Sequence, residues 1–459
     1  MTLIFDIGKT NKKCFLFDEN YHTVFSATRH FEEITDDDGF PADNLPEIEK
    51  WIKEQLFEIG NKEQYQVQKI NFSTYGASFV HVDQHGKPVA PLYNYLKPYP
   101  ESVLQSFYKK YGDALKIAKE TGSPPSGMLN SGFQLYWLKY AKPAVFEKIR
   151  WSLHFPQYLS FLFTGLAVSD YTSIGCHTGL WNYEKGDYHD WVYAEAIDRI
   201  LPPVVPTDTC YETDLAGRRL SVGVGIHDSS AALLPYIRAD KKTFLLLSTG
   251  TWSVSLNPFS REILSEADLQ NDCLNYMRTD GGAVKAARLF LGNEYALQVE
   301  KLCAYYKKPA GYDRAVKFDE QILYQLKENF RYRFHFESMP PAIHRVTSSH
   351  PVNIPGEQTD LSGLATFEAA LHQLMLELID VQVESCRKAI GRSPVEKIYL
   401  DGGFTGNDIF MTLLARAFPE YELLTAQLSH GSALGTAMVI SDKDADRDFL
   451  KEYFGWSDR

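Results

Sequence analysis

Leu3-Ile4-Phe5-Asp6-Ile7-Gly8-Lys9-Thr10-Asn11-Lys12-Lys13-Cys14-Phe15-Leu16-Phe17-Asp18 is an apolar run, a polar turn centred on Gly8, and a second apolar run. Two such runs joined by Gly, Lys, Thr and Asn are the grammar of a β-hairpin. The pattern returns 242 residues later as Leu245-Leu246-Leu247-Ser248-Thr249-Gly250-Thr251-Trp252-Ser253-Val254-Ser255-Leu256. Gly250 then stands where Gly8 stood, and Ser248 where Asp6 stood.

A second pair of segments supports internal duplication. Lys69-Ile70-Asn71-Phe72-Ser73-Thr74-Tyr75-Gly76 and Lys397-Ile398-Tyr399-Leu400-Asp401-Gly402-Gly403 each read as a short strand entering a glycine turn, and each follows a helical stretch. In the second half the helix is predicted over Phe367 to Ile390, with Thr366 as its cap, Leu371, Leu374, Met375 and Ile379 on one face, and Gly391 as its stop. Any two α/β domains share some of this grammar. Hairpin, helix, strand and glycine turn in the same order twice argue for two duplicated domains, divided in the polar stretch after Pro235 into 1–238 and 239–459.

The chain has 459 residues, enough for about two or three domains with a cleft between them. Its 44% hydrophobic and 23% charged residues are those of a globular protein. With 47 basic and 59 acidic side chains, a net charge of -12, nucleic acid is excluded as an expected partner. A phosphate-bearing ligand must therefore be held locally, by backbone N–H groups, a few cations and a metal ion. The six cysteines, Cys14, Cys176, Cys210, Cys273, Cys303 and Cys386, lie far apart without a CxxC pair and read as free thiols. No run of about 18 apolar residues and no signal peptide is evident, so no membrane partner is expected and the cytoplasm is the expected compartment.

Gly8-Lys9-Thr10 invites a P-loop reading, but that loop needs a glycine where Leu3 stands. What remains is a bend whose N–H groups, with Thr10, Asn11, Lys9 and Lys13, are suited to cradle phosphate oxygens. Asp6 at the strand end suffices as a magnesium carboxylate, because Mg²⁺ keeps several waters. One such turn is ordinary; its repetition at Ser248, Thr249, Gly250 and Thr251 makes a clamp. Asp228, in Gly223-Val224-Gly225-Ile226-His227-Asp228-Ser229-Ser230, opens a predicted helix, where a plain N-cap role is the alternative to a chemical one. His81 and His85 have a metal-like spacing, but the intervening residues and Gly86 read as a hairpin.

These motifs resemble the FGGY carbohydrate kinases of the actin, hexokinase and Hsp70 superfamily, over nearly the whole chain. Asp6 to Lys13 is similar to that family's first phosphate motif and Ser248 to Ser253 to its second, most like the rhamnulokinase branch. The resemblance implies an α/β fold of two actin-like (ribonuclease H-like) domains, each a mixed sheet flanked by helices, with ATP, Mg²⁺ and sugar in the interdomain cleft. It implies Asp228 as general base, His227 on the sugar, Asp6 near the metal, and Gly402, Gly403 and Asn407 on the adenosine side, near the small-residue run His430 to Ala437.

On the sugar side, Ser73 to Val80 is similar to a rhamnulokinase segment in which a Trp and an Asp stand where Tyr75 and Ser78 stand here, beside Gly76. Losing that Asp removes a charged acceptor, which leaves a substrate other than L-rhamnulose open; the resemblance implies a small ketose, with L-rhamnulose first and L-fuculose or xylulose as the other candidates. Asn130, Gln134, Asp170, Tyr171 and Thr172 fall in segments that the family uses around the pocket, and Trp252 reads either as a sugar contact or as an anchor for its hairpin. A monomer or homodimer is expected. The alternatives are an ATP-binding, actin-like assembly or regulatory protein without sugar chemistry, and an acyl or acetate kinase on the same scaffold.

Overall fold

Successive side chains of a strand point to opposite faces of its sheet, so strand parity decides which residues meet across the molecule. The computed structural model describes residues 1–62, 64–215, 217–328, 330–339, 359–425, 430–443, 447–454 and 457–458. In the first half β1 (Thr2–Ile7), β2 (Lys12–Phe17) and β3 (Thr23–Arg29) form an antiparallel meander. After α1 (Leu45–Gly60), β4 (Lys69–Thr74) pairs with β1 in parallel. Beyond α2 (Phe155–Thr164), β5 (Cys210–Leu215), β6 (Arg218–Gly223) and the short β7 (Ile226–His227) complete the sheet, in the order β5-β6-β4-β1-β2-β3 with β7 against β4.

α3 (Asp228–Ala239) leads into the second half. There β8 (Phe244–Thr249), β9 (Ser253–Asn257), β10 (Cys273–Met277) and β11 (Ala283–Leu289) are followed by α4 (Leu291–Tyr306) and α5 (Phe367–Ile390). β12 (Lys397–Gly402), α6 (Asp408–Ala417), β13 (Glu422–Thr425), α7 (Gly431–Val439) and β14 (Ser457–Asp458) close the chain. The sheet order is β10-β11-β9-β8-β12-β13-β14. The run β3-β2-β1-β4-β6 of the first sheet thus has its counterpart in β11-β9-β8-β12-β13, with the same antiparallel hairpin beside the same parallel pair. The architecture is two duplicated α/β lobes. α5 has the predicted bounds, because Thr366 caps Ala369 N–H and Gly391 ends it at φ 54°.

Parity builds three cores. Leu3, Phe5, Ile7, Ile70 and Phe72 pack against α1 and α2 on the outer face of the first sheet. Leu245, Leu247, Ile398 and Leu400 pack against α5 on the outer face of the second. The remaining parity, Ile4, Phe15 and Phe17 with Phe244, Leu246 and Tyr399, meets in a middle core around α3 and α7. Following the same alternation to the strand ends puts Asp6, Lys13, Ser73, Ser248 and Asp401 on the faces that look toward one another.

The two central helices touch through small residues. A Cβ on Gly435 would lie 1.8 Å from the Ala231 carbonyl oxygen, a contact that only glycine allows. Gly435→Ala is expected to force α7 off α3 and cost about 1–3 kcal/mol of stability, read as a lowered denaturation midpoint; an unchanged midpoint would disprove the close packing. Asn71 Nδ2 donates to Thr436 O at 3.1 Å and Lys69 Nζ to Ile440 O at 2.6 Å, so α7 is also tied to the first sheet.

Candidate active site

The two hairpin bends have the same local construction. Gly8 N–H donates to Asn11 O at 3.0 Å, and Gly250 N–H donates to Trp252 O at 2.8 Å. Thr10, Asn11, Gly250 and Thr251 are exposed at their tips. Behind the second bend, Gly402 (φ 94°) and Gly292 leave room for it: a Cβ on either would lie 1.8 Å from Thr249 O or 1.9 Å from Gly250 O. Trp252 anchors this bend, its ring 4.5 Å from that of Phe290.

The side chains at the bends divide by parity. Asp6 accepts hydrogen bonds from Ser73 Oγ at 2.7 Å and Ser432 Oγ at 2.8 Å, which fix its carboxylate on the inner face. Lys13, opposite Asp6 across the hairpin, has no ion-pair partner among the described residues. Its charge is felt at Asp401, whose carboxyl burial pushes up to about 6 while the Gly402 N–H and Lys13 pull it back. Lys9 differs from the expectation: its ammonium is held by Asp43 at 2.6 Å and Glu33 at 3.1 Å, so only its backbone stays with the bend. Thr249 likewise turns inward, donating to Asp401 O at 2.7 Å.

A pocket of about 670 Å³ opens beside the second bend, between Gly250–Thr251 and the turn Gly403–Asn407. Asn407 caps α6, accepting Phe410 N–H at 2.9 Å, and lines this pocket. Its remaining walls come from Asn293, Tyr295, Asp313, Arg314 and Lys317, none of which sequence reasoning singled out. Tyr295 donates to Asp313 Oδ2 at 2.7 Å and packs edge-on against Phe404. Their segments carry no local motif; Asn293 and Tyr295 come with α4, which packs on the second bend with Asn293 N–H donating to Thr251 O at 3.2 Å, and Tyr295 holds Asp313.

Asp228 is the first residue of α3, and His227, not Asp228, is the N-cap. The plain capping role therefore does not apply. Its carboxylate accepts Ser229 N–H at 2.6 Å, with 30% of the side chain still open to the cleft. Burial first, and the nearby negative charge of Asp6 second, push its pKa up to about 7. Burial pushes His227 down to about 3, so its ring is neutral. Ser230 Oγ gives its proton to Met277 O at 3.1 Å, so it accepts from His227 Nδ1–H at 3.3 Å. That leaves His227 Nε2 unprotonated, 3.2 Å from both Cys176 Sγ and Asp228 Oδ1.

The short strand that leads into Asp228 is held from behind. Asp170, fully buried, accepts from Thr172 Oγ1 at 2.6 Å, and Thr172 Oγ1 accepts His227 N–H at 3.0 Å. Thr172→Val keeps the shape and removes both bonds, so a loss of about 1–3 kcal/mol is expected in urea unfolding; a variant as stable as the wild type would show that the chain of bonds carries no weight. Asn130 and Gln134 spend their amides on the backbone, at His177 O (2.8 Å) and at Ala77 O (2.7 Å). Tyr171 lies half-buried beside Gly281 of the other lobe.

On the segment that the sequence offers for the sugar, Gly76 lies where a Cβ would come 2.4 Å from Cys176 Sγ. Ser78 is buried and shares the wall of a cavity of about 10 Å³ with Gly76, His154 and His227. The Tyr75 phenol turns away to Asp43, at 2.7 Å. Tyr95, unflagged in the sequence, stands half-buried where burial, Asp228 and Asp43 raise its pKa to about 12. His81 Nδ1 lies 2.9 Å from Ser152 Oγ in a buried site while His85 is exposed, so the two form no metal pair. The acidic group Asp36-Asp37-Asp38 is occupied by Lys97 and Lys142.

Residues 1–229 match the family model described as the FGGY family of carbohydrate kinases, N-terminal domain. The chain belongs to this family. Among curated relatives it is 24% identical over 282 residues to a rhamnulokinase of Mannheimia succiniciproducens, covering 58% of this chain and 56% of that one. It is 30% identical over 104 residues to a rhamnulokinase of Halalkalibacterium halodurans, covering 23% and 22%. The chain thus spans about half or less of the length of the curated relatives it matches. A carbohydrate kinase from Novosphingobium aromaticivorans shares its fold at a TM-score of 0.76, 23% identity and 99% coverage of both chains. A ligand-bound xylulose kinase from Lactobacillus acidophilus does so at 0.78 and 15% identity, covering 100% of this chain and 93% of that one. Among the described residues, no helix of this FGGY protein is long and apolar enough to cross a membrane.

Proposed function

We propose that this FGGY-family chain transfers the γ-phosphoryl group of ATP to a hydroxyl of a small ketose, such as L-rhamnulose, L-fuculose or xylulose, with Asp228 as general base. The observation that carries the reading is the carboxylate of Asp228 at the start of α3, partly open at 30% of its side chain, raised to about 7, and close enough to Asp6 to feel its charge. A base with a pKa near neutrality accepts an alcohol proton as it is lost, which is the group that phosphoryl transfer needs beside the phosphates. The rhamnulokinases among its relatives favour a ketose.

In this reading residues 1–238 supply the sugar side, the first bend and the base, and residues 239–459 supply the second bend and the adenosine pocket. The triphosphate lies between the bends, with N–H groups of Lys9 to Asn11 and of Thr251 and the Lys13 ammonium on its oxygens, while Gly8 and Gly250 N–H close the two turns. The pocket of about 670 Å³ is roomy enough for a nucleoside. Asp6 fits Mg²⁺: its oxygens are hard donors, and Ser73 and Ser432 hold it in place while leaving lone pairs free. A magnesium ion there offsets phosphate charge. His227, neutral and backed by Ser230, presents an acceptor nitrogen beside Asp228 for orienting the sugar.

The test is ADP release from ATP and Mg²⁺ with a panel of ketoses, aldoses and polyols, and with carboxylic acids as the acyl-kinase control. Release that depends on one or a few sugars is the expected result. Flat traces throughout, with ATP bound, would favour the assembly-protein alternative.

A further inference from the structure

On the outer face of the first sheet, below the first bend, one carboxylate gathers three side chains from two parts of the chain. Asp43, on the residue before the cap of α1, accepts from Lys9 Nζ at 2.6 Å, Lys12 Nζ at 2.8 Å and Tyr75 Oη at 2.7 Å. Asp43 and Lys12 are 5% and 3% exposed, so neither charge is solvated by water and each depends on the other. Lys12 Nζ makes one further bond, to the backbone oxygen of Lys9 at 2.8 Å.

That last bond orients the bend. In a trans peptide the C=O of one residue and the N–H of the next point in opposite directions. No peptide is cis among the described residues, so with Lys9 C=O drawn onto the Lys12 ammonium, Thr10 N–H points away from it. Lys12 shares the parity of Cys14 and Leu16 in the outer core; Lys13 shares that of Phe15 and Phe17 in the middle core. Away from Lys12 is therefore toward the face that carries Asp6 and Lys13.

We propose that Asp43 is a positioning residue of the phosphate cradle: by fixing Lys12 it holds the Lys9–Thr10 peptide so that Thr10 N–H faces the cleft, and through Tyr75 it ties this bend to the sugar-side strand. The lysines divide the labour. Lys9 and Lys12 are spent on Asp43, and Lys13 is the cation left for phosphate oxygens. The inference rests on the nucleotide-binding half of the proposed function and not on the identity of the sugar.

The test compares ATP, ADP and adenosine by calorimetric titration on the full chain, in the wild type and Asp43→Asn. Loss of one oriented, charge-assisted N–H donor corresponds to about tenfold weaker ATP and ADP binding, with adenosine affinity unchanged. A role in stability alone would lower the melting temperature and leave the ratio of ATP to adenosine affinity where it was; that result overturns the proposal. Tyr75→Phe removes a single hydroxyl and serves if Asp43→Asn does not fold. It should show the same phosphate-selective loss, about threefold, and an Asp43→Asn/Tyr75→Phe double variant should be no worse than Asp43→Asn alone. Equal affinities of Tyr75→Phe and wild type for all three ligands would remove the link to the sugar-side strand. Wild-type protein that binds neither ATP nor ADP would instead sink the functional reading itself, and the inference with it.

Discussion

Asp228→Asn is expected to bind ATP as the wild type does and to lose sugar-dependent ADP release by about 10²–10⁴-fold, the usual contribution of a general base. The amide has the size of the carboxylate, and its oxygen still accepts the Ser229 N–H bond that the wild type makes at 2.6 Å, so the start of α3 is preserved. What it lacks is the capacity to take a proton. The nucleotide contacts proposed above involve other residues, those of the bends and of the pocket beyond Thr251. A coupled assay for ADP reads the first effect and a nucleotide titration the second. Turnover within a few-fold of wild type would remove Asp228 from the mechanism; loss of ATP binding would mean that its charge serves the nucleotide.

The same substitution is expected to stabilise the metal- and nucleotide-free protein at alkaline pH. An unfolded aspartate loses its proton near pH 3.8, whereas burial and the charge of Asp6 raise the folded Asp228 to about 7. Between those values the folded state holds a proton that the unfolded state has released, so stability falls as pH rises through about 7. The full shift corresponds to about 4 kcal/mol, and partial access to water reduces it, so a gain of about 2 kcal/mol for Asp228→Asn at pH 8 is the working figure. Below about pH 4 wild type and variant should coincide. Denaturant unfolding at pH 4, 6 and 8 measures the difference; a variant less stable than wild type at pH 8 would show that the carboxylate is not strained. A cost to stability of this kind is what the proposed role of Asp228 as a buried base entails.

The helix from Phe367 to Ile390 and both hairpins were legible because cap, periodicity and turn residues are local signals. Asp228 was legible only as a residue at a helix start, with two readings, and the structure shows that His227 takes the cap position. Tyr95, Asn293, Tyr295 and Asp313 gave no signal, since their neighbours in the chain are not their neighbours in space. Lys9 and Tyr75 were visible but their directions were not. A lysine in a polar turn looks free until the residue that captures it, 34 positions on, is seen beside it.

The sequence by itself determined the duplicated order of elements and the face on which each strand-end residue stands. Alternation along a strand depends only on backbone geometry, so the parity of Asp6, Lys13, Ser248 and Asp401 follows once the strands are recognised. Tertiary structure alone decided which of these groups are spent and which are free. Ser432 reaches Asp6 across 426 residues and Tyr75 reaches Asp43 across 32. Hydrogen bonds and ion pairs act over a few ångströms, and only the folded packing of helices on sheets brings their partners within that range.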